Sequence, residues 1–135
     1  MSSDKEKNLE EARSLIELGK NDEARYCLLE LLKDDPNNQA SLLMLGGSYF
    51  TGGKYSEAEM VFERLVLMAP GEGKFSIALF NTLWNSGRTE EALEEIRRFL
   101  SIADSDKERE TIDQYMQITK SIADDLGQDD SEQAD

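Results

Sequence analysis

The chain has 135 residues, of which 39% are hydrophobic, so it can bury the core of one domain but not of several. Its formal net charge is −14 and it contains no histidine. We therefore expect no nucleic-acid partner, no anionic membrane partner, and none of the general bases or metal ligands that histidine usually provides.

The N-terminal segment MSSDKEKNLEEARS contains neither the apolar stretch nor the cleavage site of a signal peptide. No run of about 18 apolar residues follows it, as a membrane-spanning helix would require. We expect a cytoplasmic protein with a flexible N-terminus over residues 1–4. Cys27 is the only cysteine, which excludes an internal disulfide and a multi-cysteine zinc site.

Three short segments of the chain repeat one pattern: LGKNDEA, GGKYSEA and SGRTEEA. Equivalent residues lie 34 positions apart, and they are the turn glycines Gly19, Gly53 and Gly87 and the final alanines Ala24, Ala58 and Ala92. A fixed period of this length is typical of proteins built from stacked helical or strand units.

The apolar spacing on both sides of each glycine turn is helical, as in LLMLGGSYF and AEMVFERLVLM, and no stretch alternates with a period of two. The sequence therefore predicts helix-turn-helix hairpins and no sheet. The small alanines would let the second helix of each hairpin cross the first closely. Because one hairpin cannot bury its apolar face alone, we expect the hairpins to stack.

The predicted domain covers residues 5–126, with repeats at about 5–38, 39–72 and 73–106. A final amphipathic helix at about 106–126 is predicted to cover the end of the third repeat, with Ser105 or Asp106 as its N-terminal cap. The apolar face of this helix is predicted to contain Ile112, Tyr115, Met116, Thr119, Ile122, Ala123 and Leu126. The acidic residues 127–135 are predicted to be a disordered tail.

The central unit carries Leu45, Gly46, Tyr49, Ala58, Phe62 and Pro70, and over roughly residues 5–104 the chain resembles tetratricopeptide repeat (TPR) proteins. The third unit departs from the family pattern, with Phe80 in place of a small residue and Asp104 in place of the proline. The resemblance implies an all-α, right-handed superhelix of three hairpins plus one C-terminal capping helix, about seven helices in total.

Acidic residues occur in the pairs Glu10-Glu11, Asp34-Asp35, Glu90-Glu91 and Glu94-Glu95. Each pair is predicted to lie at a helix end or to point outward, where its charges are solvated. The doublet Gly46-Gly47 lacks a phosphate-loop lysine and is interpreted as a place where helices approach closely. With no nucleophile motif either, we predict that the protein is not an enzyme and has no catalytic residue, cofactor or metal.

In TPR proteins the first helix of each repeat lines a concave surface that receives ligands. The resemblance implies that the partner-binding residues here lie on this surface, and they are Leu9, Arg13, Ile16, Leu43, Gly47, Phe50, Lys74, Ile77, Asn81, Trp84 and Asn85, with Glu17 and Thr51 beside them. Two apolar rows stand out at the 34-residue period, Leu9-Leu43-Ile77 and Ile16-Phe50-Trp84. These rows either pack internally or form a binding surface with large aromatic anchors.

TPR members that bind the acidic C-terminal tails of Hsp70 and Hsp90 clamp the terminal carboxylate with lysine, arginine and asparagine. The matching residues here are Leu9, Arg13, Met44, Lys74 and Ala78. Only Lys74 keeps the required type, with Arg13 as a partial substitute. Because the net charge of the chain also opposes an acidic ligand, we expect no such tail as partner.

The sequence thus predicts a non-enzymatic module that binds a segment of another protein in its concave apolar groove, as an adaptor, assembly factor or dedicated chaperone. In its size, acidity and apolar groove it resembles the chaperones of bacterial type III secretion. The alternative is a scaffold that forms homo-oligomers through the same apolar rows or through an exposed repeat end.

Overall fold

The structure is a computed structural model that describes the backbone of residues 2–134 and the side chains of residues 4–127. Within residues 2–134 there are seven α-helices and no strand, which confirms the predicted all-α fold. In chain order the helices are α1 (Ser2–Glu17), α2 (Asn21–Asp34), α3 (Gln39–Thr51), α4 (Tyr55–Met68), α5 (Gly73–Asn85), α6 (Thr89–Ile102) and α7 (Arg109–Ala134).

The helices pack as three hairpins, α1 with α2, α3 with α4, and α5 with α6. The hairpins stack because α2 also packs on α3 and α4 packs on α5. In addition, α3 contacts both α1 and α5, and α5 contacts α7. The first helices of the hairpins therefore lie side by side on one face, which we call the inner surface, and the second helices form the outer face of a superhelix.

Each hairpin turns at a glycine with positive φ: Gly19 at 77°, Gly53 at 74° and Gly87 at 83°. In the central turn the N–H of Lys54 donates to the carbonyl oxygen of Tyr49 at 2.8 Å, and the other two turns have the equivalent bond. This geometry ends the first helix in a Schellman-type motif. Because a side chain disfavours positive φ, the repeated glycine answers a backbone requirement that recurs in each hairpin.

The doublet of glycines in α3 divides into one residue that packs closely and one that does not. A Cβ atom placed on Gly46 would lie 2.7 Å from Cζ of Phe62 in α4, inside contact distance, whereas one placed on Gly47 would meet nothing within 4 Å. The interpretation of the doublet as a close helix approach is therefore right for Gly46 and wrong for Gly47, because only Gly46 faces the crossing with α4.

Alanine substitutions at these neighbouring glycines are expected to have opposite effects. Gly46→Ala should lower the free energy of unfolding by roughly 1 to 3 kcal/mol because the Phe62 ring has to move. Gly47→Ala should raise it by up to about 1 kcal/mol because alanine is the better helix former. Urea denaturation followed by circular dichroism measures both. Equal changes in the two variants would contradict the assigned crossing of α3 and α4.

Asp104 forms the turn that precedes α7, and the prediction of Ser105 or Asp106 as the cap of this helix was wrong, because α7 begins only at Arg109. Oδ1 of Asp104 accepts hydrogen bonds from the backbone N–H groups of Asp106 at 2.9 Å and Lys107 at 3.1 Å. These two bonds lower the pKa of the Asp104 carboxyl group. The aspartate in place of the family's proline thus forms an Asx turn, after which α7 begins at Arg109.

Both ends of the chain are more helical than the sequence analysis predicted. Helix α7 continues to Ala134, past the predicted end at Leu126, and α1 begins at Ser2. Residues 127–134 contain no proline, so nothing sterically interrupts the helix. Residues 1 and 135 and the side chains of residues 2, 3 and 128–134 lie outside the described part, and they belong to the predicted flexible N-terminus and disordered tail.

The apolar face of α7 is only partly covered by the rest of the molecule. Tyr115 is fully buried, and Ile112 and Ile118 pack against the main core, the buried cluster that extends from α3 to α7. In contrast, Met116 is 56% exposed, Leu126 is 60% exposed and Ala123 is also exposed, so the prediction that these three belong to the covered face was wrong. The contacting stripe is narrower than predicted because α7 packs mainly against one helix, α5.

Candidate functional site

The inner surface brings the predicted partner-binding residues onto neighbouring helices with different degrees of exposure. Half-buried are Leu9, Ile16, Leu43, Gly47, Phe50 and Ile77. Exposed are Arg13, Glu17, Thr51, Lys74, Asn81, Trp84 and Asn85. The apolar members thus have one part of the side chain in the packed interior and another at the surface.

The row Leu9-Leu43-Ile77 contributes to core packing. Leu43 and Ile77 pack against the main core, which extends from α3 to α7, and Leu9 packs against a smaller core between the first two repeats. Phe50 also contacts the main core. These side chains therefore pack internally over much of their surface, as one of the two interpretations predicted. Their remaining parts are exposed on the inner surface.

Two aromatic side chains of the second row are supported by neighbouring rings. Trp84 stacks on Phe80 with ring centroids 5.8 Å apart and an interplanar angle of 26°. Phe50 meets the edge of Tyr55 at 5.5 Å. Trp84 nevertheless remains 41% exposed. An aromatic side chain that is held by its neighbours and still faces solvent loses little conformational entropy when a ligand covers it.

Several polar side chains of the inner surface have partners within the protein. Arg13 forms an ion pair with Glu10 at 2.6 Å, and Nζ of Lys74 lies 5.7 Å from the centre of the Phe75 ring. Nδ2 of Asn85 donates to the carbonyl oxygen of Asn81 at 2.7 Å. The two cations, Arg13 and Lys74, thus point to different local partners and do not converge on one ligand position.

A buried charged network lies between α5, α6 and α7, where sequence reasoning placed only solvated carboxylates. Glu95 is 6% exposed, so its prediction as an outward charge was wrong. Its carboxylate accepts hydrogen bonds from Nε and Nη2 of Arg98 at 2.7 and 2.6 Å and from Oγ of Ser76 at 2.6 Å. This bidentate pairing compensates for desolvation of the carboxylate. Hydrogen bonding to Glu95 raises the pKa of Arg98, and burial opposes that rise.

Tyr115 connects this network to the capping helix. Its hydroxyl group lies 2.7 Å from Oγ of Ser76, and its ring meets Phe80 and Phe99 edge-on at 5.7 and 5.6 Å. Burial raises the pKa of the Tyr115 hydroxyl well above its ordinary value, with the Ser76 hydrogen bond acting in the opposite direction. The apolar position of Tyr115 in α7 was visible in the sequence, but its hydrogen bond to Ser76 depends on how α7 packs across α5.

Metal sites and membrane-spanning helices are absent from the described residues. Among them, no group of three or more acidic, cysteine or histidine side chains could hold a metal ion. None of the described helices combines the length and hydropathy that crossing a membrane requires. Cys27 is half-buried, and burial is the largest cause of the raised pKa of its thiol.

Comparison with known proteins gives both a family and structural relatives. Residues 9–73 match the family model for the tetratricopeptide repeat. The tetratricopeptide repeat protein 30 homolog of Drosophila pseudoobscura pseudoobscura is 31% identical over 86 residues, which are 64% of this chain and 12% of that relative. The chain therefore spans a small part of the length of this relative.

Two solved structures resemble the chain over most of its length. The type III secretion translocator chaperone SycD of Yersinia enterocolitica has a TM-score of 0.76 at 19% identity, covering 91% of this chain and 94% of that one. The first TPR of Spaghetti, bound to an HSP90 peptide, has a TM-score of 0.70 at 21% identity, with 88% and 95% covered. At these identities the likeness concerns the fold. The chain therefore carries tetratricopeptide repeats: residues 9–73 match the family model, and the same hairpin architecture continues through the third repeat.

Proposed function

We propose that the protein is a non-enzymatic interaction module of the cytoplasm that binds an apolar segment of another protein on its inner surface, as an adaptor, assembly factor or dedicated chaperone. The observation that carries this proposal is Trp84, which stacks on Phe80 and is still 41% exposed. Tryptophan is among the residues that contribute most to protein interfaces when a partner buries it.

The surroundings of Trp84 favour an extended or helical apolar segment as ligand. Phe50 lies at the equivalent position of the preceding repeat and supplies a second apolar contact. Gly47 faces open space one turn before Phe50, so a partner can approach the backbone of α3 there. Asn81 and Asn85 are exposed beside Trp84 and have amide groups that can bond to the partner's backbone.

Charge limits the class of partner further. Leu9, Met44 and Ala78 replace polar clamp residues, and Arg13 is paired with Glu10. The net charge of −14 also opposes an acidic ligand. The peptide-bound and chaperone structures of the same fold illustrate binding by related folds. We infer a neutral or basic apolar segment rather than an acidic tail.

Trp84→Asp is expected to weaken partner binding by at least about tenfold, because it removes an anchor and places a charge in the contact. The thermal midpoint should change little, since much of the indole faces solvent. The measurement is recovery of partners from a lysate of the source cell by immobilised protein, quantified by mass spectrometry. Leu67→Asp is the control, because Leu67 is 81% exposed on α4 of the outer face.

Two further variants separate binding from folding. Gly47→Gln adds bulk in open space and should reduce binding without disturbing the core. Phe50→Asp should reduce binding and also lower the thermal midpoint, because Phe50 packs against the main core. Equal recovery of all proteins by wild type and Trp84→Asp would contradict the proposal. A dimeric mass in light scattering that Trp84→Asp converts to a monomer would instead support the self-associating scaffold.

A further inference from the structure

The outer face carries an apolar groove between α2 and α4, which we call the first outer groove. Leu42, 3% exposed, lies at its floor together with Leu32. Leu29 and Met60 form its rims and are 46% and 72% exposed. Arg64 lies at one end, where its Nη2 donates to Oδ1 of Asn37 at 2.7 Å. Large apolar side chains are thus presented to solvent on both sides of a groove with an apolar floor.

The next inter-repeat groove, between α4 and α6, occupies the same place one repeat later and has the opposite chemistry. We call it the second outer groove. Four apolar residues of the first outer groove have polar or acidic equivalents 34 positions later in the chain. The pairs are Leu29 and Glu63, Leu42 and Ser76, Met60 and Glu94, and Val61 and Glu95. The second outer groove is lined by Glu63, Glu94 and Glu95 together with Arg98, which pairs with Glu95 and is the equivalent of Arg64. Stacking of the repeats therefore does not require exposed leucine and methionine at the rims. The apolar rims of the first outer groove are better explained by binding of a partner.

We propose that the outer face binds an extended segment of another protein that inserts one apolar side chain into the first outer groove and lays lysine or arginine over the second outer groove. Helix α4 separates the two grooves, and a helix with its side chains is about 10 to 12 Å wide. An extended chain advances roughly 3.3 to 3.6 Å per residue, so the basic residues follow the apolar anchor by three or four positions.

Charge complementarity selects this partner. Glu63 lies on α4 at the rim of the second outer groove, and partial burial together with the neighbouring Glu59 raises its pKa. Arg88 already pairs with Glu59, and a further cation placed beside Glu63 relieves the repulsion that remains between the two carboxylates. Glu91 and Glu94 also line the second outer groove. Glu91 forms an ion pair with Arg88, and Glu94 forms one with Arg97. An acidic or purely apolar segment gains nothing from this half of the surface.

The test uses a fluorescein-labelled peptide that has one phenylalanine followed four residues later by two lysines in a glycine-serine background. Fluorescence anisotropy should show binding that weakens as NaCl is added, because half of the contact is electrostatic. A matched peptide with glutamates in place of the lysines should bind at least about tenfold more weakly. ¹⁵N chemical shifts should move in α2 and α4 when the lysine peptide binds.

The decisive variant is Met60→Glu, which gives the first outer groove the residue found at the same place in the second. Since Glu94 is accommodated there, the substitution should leave the thermal midpoint nearly unchanged and weaken peptide binding at least about tenfold. Met60→Leu should retain binding. Leu67→Glu adds the same charge to α4 outside both grooves and is the matched control.

Three results would overturn the proposal. One is equal affinity for the lysine and glutamate peptides, which would show that electrostatic attraction does not contribute to binding. Another is unchanged binding of the lysine peptide in Met60→Glu, which would place the peptide elsewhere. The third is a dimeric mass in light scattering that Met60→Glu converts to a monomer, which would show that a second copy of the chain covers the first outer groove.

Discussion

Tyr115→Ala is expected to lower the free energy of unfolding by about 3 to 5 kcal/mol, the range for removing a large buried aromatic side chain. Tyr115 is fully buried between Phe80 and Phe99, so the substitution leaves a cavity where α7 meets α5 and α6. It also removes the hydroxyl group that lies 2.7 Å from Oγ of Ser76. Because the contacts of α7 with the rest of the molecule centre on this residue, the helix should lose protection along its length.

The conservative variant Tyr115→Phe separates packing from hydrogen bonding. It keeps the ring and removes only the hydroxyl, so the expected cost is roughly 1 kcal/mol. Urea denaturation followed by circular dichroism measures both variants, and amide hydrogen exchange reports on α7 directly. If Tyr115→Ala costs no more than Tyr115→Phe, the aromatic ring does not anchor α7.

The second large effect is expected at Ala58, where α4 crosses α3. Ala58 has no exposed surface and lies in the main core. Ala58→Leu adds three carbon atoms in a place without room for them, which should cost roughly 1 to 3 kcal/mol or more through overpacking. Ala24 and Ala92 are equally buried in the flanking hairpins, so the same reasoning applies to each crossing.

Ala40→Leu provides the control for this overpacking effect, because Ala40 is exposed on α3 and leucine is also a good helix former. The change in its free energy of unfolding should stay within about 0.5 kcal/mol. Thermal and urea unfolding of the two variants decide between the explanations. Equal stability of Ala58→Leu and wild type would mean that α3 and α4 do not cross at Ala58.

Much of the fold could be predicted because its signals are local. Gly53 marks a turn that needs positive φ, and Ala58 marks a crossing that needs a small side chain, wherever the hairpin lies in space. The same two residue types return after 34 positions, so the prediction of one hairpin applied equally to the other two. Helical periodicity then excluded a sheet without any information on contacts between repeats.

The candidate surfaces were less predictable because they depend on which side chains neighbouring helices present. Glu95 has the sequence context of a solvated carboxylate, and only its juxtaposition with Ser76 and Arg98 allows it to be buried. Leu43 was expected at a groove and lies partly in the core. The apolar first outer groove does not show in the helical pattern, and its sequence signal is the difference between Leu29 and Met60 and their acidic equivalents one repeat later.

The sequence by itself determined the helices, their turns and their stacking, because helix periodicity, glycine turns and small crossing residues act within one hairpin and recur with the repeat. The tertiary structure alone decided which charges are buried, how far α7 covers the third repeat and which aromatic side chains remain exposed. These outcomes depend on contacts between residues far apart in the chain, because the side chains that pack against a charge or an aromatic ring determine whether it can be buried.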